Sequence, residues 1–416
     1  MFYPEDAGAF LLQCHNSILQ CSKIIPTLGV LPLIPPNPGM IIPIVVASLI
    51  RALAVALRRR HARPLRRHLG RRRRSISKPI NLALQGGGAH GAFTWGVLDE
   101  LLADGRFDIE GISGTSAGAV NAVVLADGFN RGGPEQARAR LAEFWRALSL
   151  DGHLPDLPRR VVERFFSFIP GEGLWLDAMS RLLSPYDLNP LNINPLKDLI
   201  ERYVDFERIR RIGKPELFIS ATNVRSGELR VFRHAEITPE VVMASACLPL
   251  LFRAIEIDGV PYWDGGYSGN PALIPFLRAT ATEDVLLIQI NPPERRKVPM
   301  RTREIRSRIN EINFNASLLS ELRAIGFVNR LIDEGRLPRG IGNGQFRRIN
   351  LHRIAMEAGR EGIGARSTLK TQFEYFELLC KLGQRAARRF LDAHFHDVGR
   401  RSTIGVTKRH ELEPVE

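Results

Sequence analysis

The stretch that decides the fold is INLALQGGGAHGAFTWGVLDELLADG, residues 80–105. A short apolar run at 80–84 meets three glycines and is followed by apolar residues at helical spacing. This pattern predicts a strand, a glycine turn and a helix. The pattern then repeats, because FDIEGI at 107–112 leads through GTSAG at 114–118 into a helix of small and apolar residues. Two such units in succession predict an α/β fold with a mainly parallel sheet between helices.

The two glycine turns carry the candidate chemistry. Glycines before a helix let backbone N–H groups approach an anion or a developing oxyanion without obstruction by a Cβ atom. The first turn also satisfies a dinucleotide-binding pattern, a weak signal in isolation. The G-x-S-x-G turn decides between the two interpretations, because it exposes Ser116 as a nucleophile between a strand and a helix.

A serine hydroxyl becomes a nucleophile only when a neighbouring group takes its proton. Residues 255–257 and 261–263 predict two short strands around an Asp258-Gly259 turn, and Asp264 follows the second strand. Asp264 is therefore the first candidate for the base. Asp258 is the second candidate, although an Asp-Gly pair is typical of a plain β-turn.

Three motifs in this order resemble the patatin-like lipid acyl hydrolases: GGGAHG at 86–91, GTSAG at 114–118 and DGG at 264–266. The resemblance covers residues 79–293 and implies a three-layer α/β/α catalytic domain. It also implies that Ser116 attacks the acyl carbonyl of a lipid or phospholipid, that Asp264 is the general base, and that neither a cofactor nor a catalytic histidine is needed. The resemblance further implies an oxyanion hole in the glycine loop of Gly86, Gly87 and Gly88, with the amides of Gly87 and Gly88 as the expected donors. The glycines that support these motifs are Gly91, Gly114, Gly118, Gly265 and Gly266. The family often has arginine where this chain has His90, which weakens the positive charge beside the glycine loop.

Two alternatives stay open at this point. An ordinary esterase triad in the chain order Ser, Asp, His would use His352, His394 or His396, which lie in segments predicted to be helical. A lipid-associated binding protein with a vestigial hydrolase site is the alternative from another class.

The positive charge of the chain is concentrated at one end. The chain has a formal net charge of +14, and residues 1–78 contain thirteen Lys or Arg residues against two acidic ones. We expect this extension to be disordered or membrane-associated, with residues 40–74 as the lipid-contacting part. The apolar stretch at 40–57 is interrupted by Pro43 and Arg51 and falls short of a clean membrane span. Nucleic acid is not expected as a partner, because aromatic residues are absent from the arginine run.

The C-terminal region is predicted to be helical, and the cysteines indicate the compartment. Apolar residues at three and four spacing over 301–331 and 367–394 predict a helical C-terminal extension over 294–416. The four cysteines are scattered, which favours a reducing compartment and hence the cytoplasm, with the cytoplasmic membrane surface as a further location. No Cys and His spacing indicates a metal site.

Overall fold

A computed structural model of the 416-residue chain describes residues 77–149, 184–188, 194–249, 251–295, 298–338, 340, 346–357 and 372–404. The chain divides into two units, and the second, Arg74–Glu416, is compact. All described residues belong to the second unit. The predicted N-terminal extension, apart from its last two residues, and its lipid-contacting part at 40–74 lie outside the described residues.

The described part contains both strands and helices. The strands are β1 (Lys78–Leu84), β2 (Phe107–Gly114), β3 (Glu216–Asn223), β4 (Leu229–Arg233), β5 (Ile255–Ile257), β6 (Val260–Asp264), β7 (Asp284–Gln289) and β8 (Asn350–Ala355). The helices are α1 (Gly91–Asp104), α2 (Ala117–Leu148), α3 (Pro185–Leu188), α4 (Pro195–Tyr203), α5 (Phe206–Ile212), α6 (Pro239–Ser245), α7 (Phe276–Ala279), α8 (Thr302–Asp333) and α9 (Phe373–His394). Both predicted strand–turn–helix units are confirmed, as is the hairpin of β5 and β6.

The sheet is mainly parallel, as predicted. Strands β8, β7, β1, β2 and β3 lie side by side in parallel. Strand β4 pairs antiparallel with the outer edge of β3, and the antiparallel strand β6 pairs with β3 beyond the point where β2 ends. The carboxyl ends of β1 and β2 therefore share one edge of the sheet, where parallel α/β sheets bind ligands.

Helices cover both faces of the sheet. Successive side chains of a strand point to opposite faces, and in β1 Leu82 and Leu84 belong to one buried apolar cluster while Ala83 belongs to another. The first cluster contains side chains of α1, α2 and α9, and the second contains Leu318 and Ile325 of α8. This is the three-layer α/β/α arrangement.

The C-terminal region is helical, as predicted, but it also completes the sheet. A Cβ atom on Gly96 of α1 would lie 1.9 Å from the carbonyl oxygen of Cys380, and one on Gly383 would lie 2.1 Å from that of Phe93. Helix α9 therefore packs directly on α1, backbone against backbone. The sequence analysis missed strand β8, and it placed His352 on a helix, which is wrong because this residue lies within β8.

Candidate active site

Ser116 lies at the sharp turn between β2 and α2. Its backbone has φ 55° and ψ −123°, a positive-φ conformation that L-residues other than glycine adopt only under strain. The Ser116 N–H donates a hydrogen bond to Ser245 Oγ at 3.0 Å. Because Ser116 is also the N-cap residue of α2, the positive end of the helix dipole lies beside its side chain.

Close backbone approaches hold this elbow in place. A Cβ atom on Gly118 would lie 2.2 Å from the carbonyl oxygen of Leu84, and one on Gly114 would lie 2.6 Å from the Gly118 oxygen. The two glycine turns also touch, since a Cβ atom on Gly86 would lie 2.6 Å from the Thr115 oxygen. Glycine is required at these positions because any side chain would push Ser116 away from the glycine loop.

The register of β3 brings Asp264 to the serine. Gly114, the last residue of β2, pairs with Ile219 of β3, and Asp264, the last residue of β6, pairs with Ala221. Both pairs lie on the edge of β3 that faces away from β4, because β4 occupies the other edge along the same residues. Asp264 therefore follows the end of β2 directly, where the chain turns into Ser116.

The Asp264 carboxyl group is fully buried, and only one of its two oxygens accepts a hydrogen bond of good geometry from the described residues. Its Oδ1 accepts a hydrogen bond from the Gly266 N–H at 2.7 Å, while Oδ2 has no hydrogen bond of good geometry in the described structure. Burial raises the pKa of Asp264 to about 7, against the opposing effects of the Gly266 N–H and the nearby Ser116 hydroxyl. A carboxylate with this pKa can both accept and return a proton near neutral pH.

The remaining motif glycines are also positions of close approach. A Cβ atom on Gly265 would lie 2.2 Å from the Ser220 carbonyl oxygen, and one on Gly266 would lie 2.2 Å from the Phe314 ring. A Cβ atom on Gly91 would lie 2.7 Å from that of Ala117, at the start of α2. The glycines of the three motifs thus allow the loops that surround Ser116 to pack together.

The glycine loop presents two backbone donors. The Gly86 N–H donates to Asn270 Oδ1 at 2.7 Å and is therefore already engaged. Of the three glycines predicted to form the oxyanion hole, Gly87 and Gly88 remain as candidate donors. Neither of these two N–H groups donates to an acceptor in the parts of the chain described above. Gly88 has φ 57°, a backbone conformation that favours glycine.

A buried amide network, which the sequence analysis missed, supports the glycine loop. Asn291 Nδ2 donates to the Gly86 carbonyl oxygen at 2.7 Å, opposite the Asn270 bond to the Gly86 N–H. Gln85 Oε1 in turn accepts from the Asn291 N–H at 2.8 Å, and Gln85 Nε2 donates to Asn315 Oδ1 at 2.9 Å. These residues are far apart in sequence, so no local pattern could have connected them.

His90 lies beside the glycine loop without charge. Its Nε2 atom is buried and has no hydrogen-bond partner in the described structure. Burial lowers the pKa of His90 to about 4, so the imidazole is neutral at pH 7. The predicted weakening of positive charge at this position is therefore a complete loss near neutral pH.

The three histidines of the alternative triad lie elsewhere. His352 Nε2 bonds Asp284 Oδ1 at 2.9 Å, and His394 Nδ1 bonds Asp397 Oδ2 at 3.2 Å. Next to His394 and His396, the Phe395 carbonyl oxygen accepts a 2.8 Å bond from Lys78 Nζ. Lys78 begins β1, and seven residues of strand separate it from the glycine loop by about 20 Å.

Asp258, the second candidate base, is an exposed turn residue with φ 51° between β5 and β6. In the described parts of the chain, no cluster of three or more His, Cys, Asp or Glu side chains is arranged to hold a metal ion. The described helices include none that is long and apolar enough to cross a membrane.

Fold and site together define a three-layer α/β protein with a serine elbow beside a buried aspartate. The family model described as patatin-like phospholipase matches residues 82–277. This part of the chain matches the patatin-like phospholipase domain, and that match implies a lipid acyl hydrolase. The comparison with curated proteins gave no match.

Solved structures give remote matches. The crystal structure of VipD from Legionella pneumophila is matched with 15% identity and a TM-score of 0.32, over 74% of this chain and 67% of that one. The type III effector protein ExoU is matched with 16% identity and a TM-score of 0.34, over 76% of this chain and 53% of that one. ExoU of Pseudomonas aeruginosa in its heterodimeric complex with SpcU is matched with 19% identity and a TM-score of 0.26, over 58% and 51%. The chain thus spans about half the length of the ExoU chains.

Proposed function

We propose that this protein hydrolyses acyl esters of lipids, with phospholipids as the expected class, through a Ser116–Asp264 dyad. The observation that carries the proposal is the state of Asp264, a carboxyl group whose burial raises its pKa to about 7, beside the strained Ser116. One of its oxygens has no hydrogen bond of good geometry among the residues that the structure describes. Buried polar atoms without partners are rare and mark sites of function. No histidine is needed to activate the serine in this arrangement.

The reaction uses the two glycine turns together. Asp264 takes the proton of the Ser116 hydroxyl while Oγ attacks the acyl carbonyl carbon, which places negative charge on the carbonyl oxygen. The Gly87 and Gly88 N–H groups stabilise this oxyanion, aided by the helix N-termini of α1 and α2. The intermediate collapses when the ester C–O bond breaks and Asp264 returns its proton to the leaving alcohol.

Water completes the cycle. Asp264, ionised again, takes a proton from a water molecule that attacks the acyl-enzyme, and the fatty acid leaves as Ser116 regains its proton. General-base assistance typically accelerates such steps by about 10²–10⁴-fold, and one oxyanion donor by about 10²–10³-fold. Loss of either group should therefore nearly silence the enzyme.

We place the enzyme in the cytoplasm, with the cytoplasmic membrane surface as its site of action. Cys247 and Cys380 are free and buried in the described part of the chain, an arrangement that suits a reducing compartment.

Covalent labelling with a fluorophosphonate probe tests the proposal, together with acyl-ester hydrolysis across chain lengths. The wild type is compared with Ser116→Ala, Asp264→Asn and His352→Ala, and with Ser226→Ala as a matched control for an exposed serine. We expect labelling to vanish in Ser116→Ala, turnover to vanish in both dyad variants, and Ser226→Ala to behave as the wild type.

Two outcomes would overturn the dyad. Loss of turnover in His352→Ala with an intact fold would point to a triad. A folded wild type that binds lipid but neither reacts with the probe nor turns over ester would identify a binding protein with a vestigial site.

A further inference from the structure

The first twelve residues of α8 extend past the sheet on the side of the active site. At the far end of this helix Asn329 bonds the backbone of Ile349, just before β8, at the amino edge. Further towards its beginning, Phe314 packs on Gly266, next to Asp264. From Thr302 to Phe314 the helix rises about 18 Å. We call residues 302–313 the overhang. None of its described side chains is buried, and the first described side chain of the helix that is buried is that of Phe314.

The overhang carries an exposed apolar stripe. Ile305, Ile309 and Ile312 are 41%, 50% and 51% exposed, and their spacing of four and three residues places them on one face of the helix. Val298 and Met300, in the segment that leads into the helix, are 80% and 82% exposed. We call these five residues the apolar stripe. Grouped apolar side chains at a surface mark an interaction site, whereas single ones are ordinary.

The charge around the stripe is positive. Residues 298–312 contain four arginines and two glutamates. Both glutamates are already engaged: Glu304 accepts from the N–H groups of Met300 and Arg301, and Glu311 pairs with Arg295 and Arg308. This segment combines exposed isoleucines with an excess of arginine in its sequence, a composition that matches acyl chains beneath anionic headgroups.

We propose that the apolar stripe docks the enzyme on an anionic phospholipid surface, so that the carboxyl edge of the sheet faces the lipid. The stripe leads to Phe314, which touches both Gly266 and the ring of Tyr267 at a centroid distance of 5.4 Å. A lipid that enters from this surface meets the catalytic loop first. The choice of occupant rests on the lipid substrate of the proposed function, but attachment can be measured without turnover.

Attachment is measured on full-length protein in a Ser116→Ala background, with vesicles of phosphatidylglycerol and phosphatidylcholine. The test variant is Ile309→Asn/Ile312→Asn. The matched control is Phe327→Asn, because Phe327 is 54% exposed on the same helix but lies past the overhang. We expect the partition coefficient of the test variant to fall at least about tenfold, and that of the control to stay at the wild-type value.

A second measurement separates the stripe from any other lipid-binding segment. Brominated acyl chains should quench the fluorescence of the Ile309→Trp variant more strongly than that of the four native tryptophans. The fluorescence of the Phe327→Trp variant should show no such additional quenching. With Ser116 restored, Ile309→Asn/Ile312→Asn should hydrolyse a monomeric short-chain ester at the wild-type rate but vesicle lipid more slowly.

Three results would overturn the proposal. The first is a wild-type protein that does not bind the vesicles. The second is an Ile309→Trp variant that binds the vesicles but whose fluorescence is not quenched. The third is a shift of the Ile309→Trp emission in the absence of lipid that accompanies dimer formation. The last result would show that a second copy of the chain covers the stripe. Quenching without ester turnover in the Ser116 protein would leave the docking surface standing and reject the proposed function.

Discussion

The two edges of the sheet hold similar side chains in opposite states. At the amino edge His352 is fully buried with both ring nitrogens bonded, to Asp284 at 2.9 Å and to Thr403 at 3.3 Å. Asp284 also accepts from the Gly399 N–H at 2.8 Å. At the carboxyl edge one oxygen of Asp264 has no hydrogen bond of good geometry within the described part of the chain, and Ser116 has a strained backbone.

The buried polar groups at the amino edge stabilise the fold, whereas those at the carboxyl edge form the candidate site. An Asp–His pair near hydrogen-bond distance looks like two-thirds of a catalytic triad, yet here it ties β7, β8 and the C-terminal segment together. Satisfied buried groups stabilise a fold, whereas unsatisfied and strained ones cost stability and persist where chemistry needs them. Substitutions at the carboxyl edge should therefore change rate, and those at the amino edge should change stability.

The largest effect on rate is expected at Ser116. Ser116→Ala and Ser116→Gly should both lower kcat by at least about 10³-fold, because the nucleophile is lost. They should differ in stability: glycine accepts a φ of 55° and should raise the free energy of unfolding by about 1 kcal/mol, while alanine should not. Urea unfolding of both variants measures this difference. An unfolding free energy for Ser116→Gly equal to that of Ser116→Ala would show that the elbow stores no strain.

The second largest effect on the rate of hydrolysis is expected at Asp264. Asp264→Asn should lower kcat by about 10²–10⁴-fold. In the wild type, kcat/KM should rise with pH through about 7, because the proposed base is the ionised carboxylate and burial raises its pKa to that value. A profile already flat from pH 5 would exclude Asp264 as the base. His90→Ala should leave the midpoint in place, since burial lowers the pKa of His90 to about 4.

The same pKa shift predicts a change in stability. The folded-state pKa of Asp264 lies above the unfolded value, so its contribution to stability is greatest below pH 4 and is lost as pH rises towards 7. Asp264→Asn removes this loss and should raise the melting temperature at pH 8 more than at pH 4. Equal shifts at both pH values would mean that the native carboxyl group is not perturbed.

A smaller effect on rate is expected in the amide network. Asn291→Ala removes the bond to the Gly86 carbonyl oxygen and should lower kcat about tenfold with little change in KM, because the oxyanion donors lose their support. Asn329→Ala is the matched control, since Asn329 bonds both backbone groups of Ile349 at the amino edge. It should lower stability by about 1–3 kcal/mol and leave kcat unchanged. A kcat loss of equal size in both would assign the effect to general loosening.

No effect on the chemical step is expected at His352. His352→Ala should lower the free energy of unfolding by about 3 kcal/mol, because it leaves a cavity and an unpaired Asp284. His352→Gln, which keeps a donor, should lose less. Active-site titration with the fluorophosphonate probe gives the folded fraction, and kcat per titrated site should equal that of the wild type. A reduced kcat per site would bring the amino edge into the mechanism.

Local sequence was sufficient for the parts of the fold that depend on neighbours in the chain. Both strand–turn–helix units follow from an apolar run, a glycine turn and helical spacing, and the hairpin around Asp258 and Gly259 follows from its turn residues. Strand β8 was missed because its pairing partner β7 lies about sixty residues earlier in the chain. Periodicity within a segment cannot report such a partner.

The sequence by itself determined the two glycine turns, the candidate nucleophile and the candidate base, because each depends on residue types at fixed local spacing. Only the tertiary structure decided which groups meet. It placed Asp264 beyond the end of β2 through the register of β3, assigned the Gly86 N–H to Asn270, and set the three histidines near the opposite edge of the sheet. The physical reason is that burial, pKa and hydrogen-bond partners depend on residues far away in the chain, and packing alone brings those residues together.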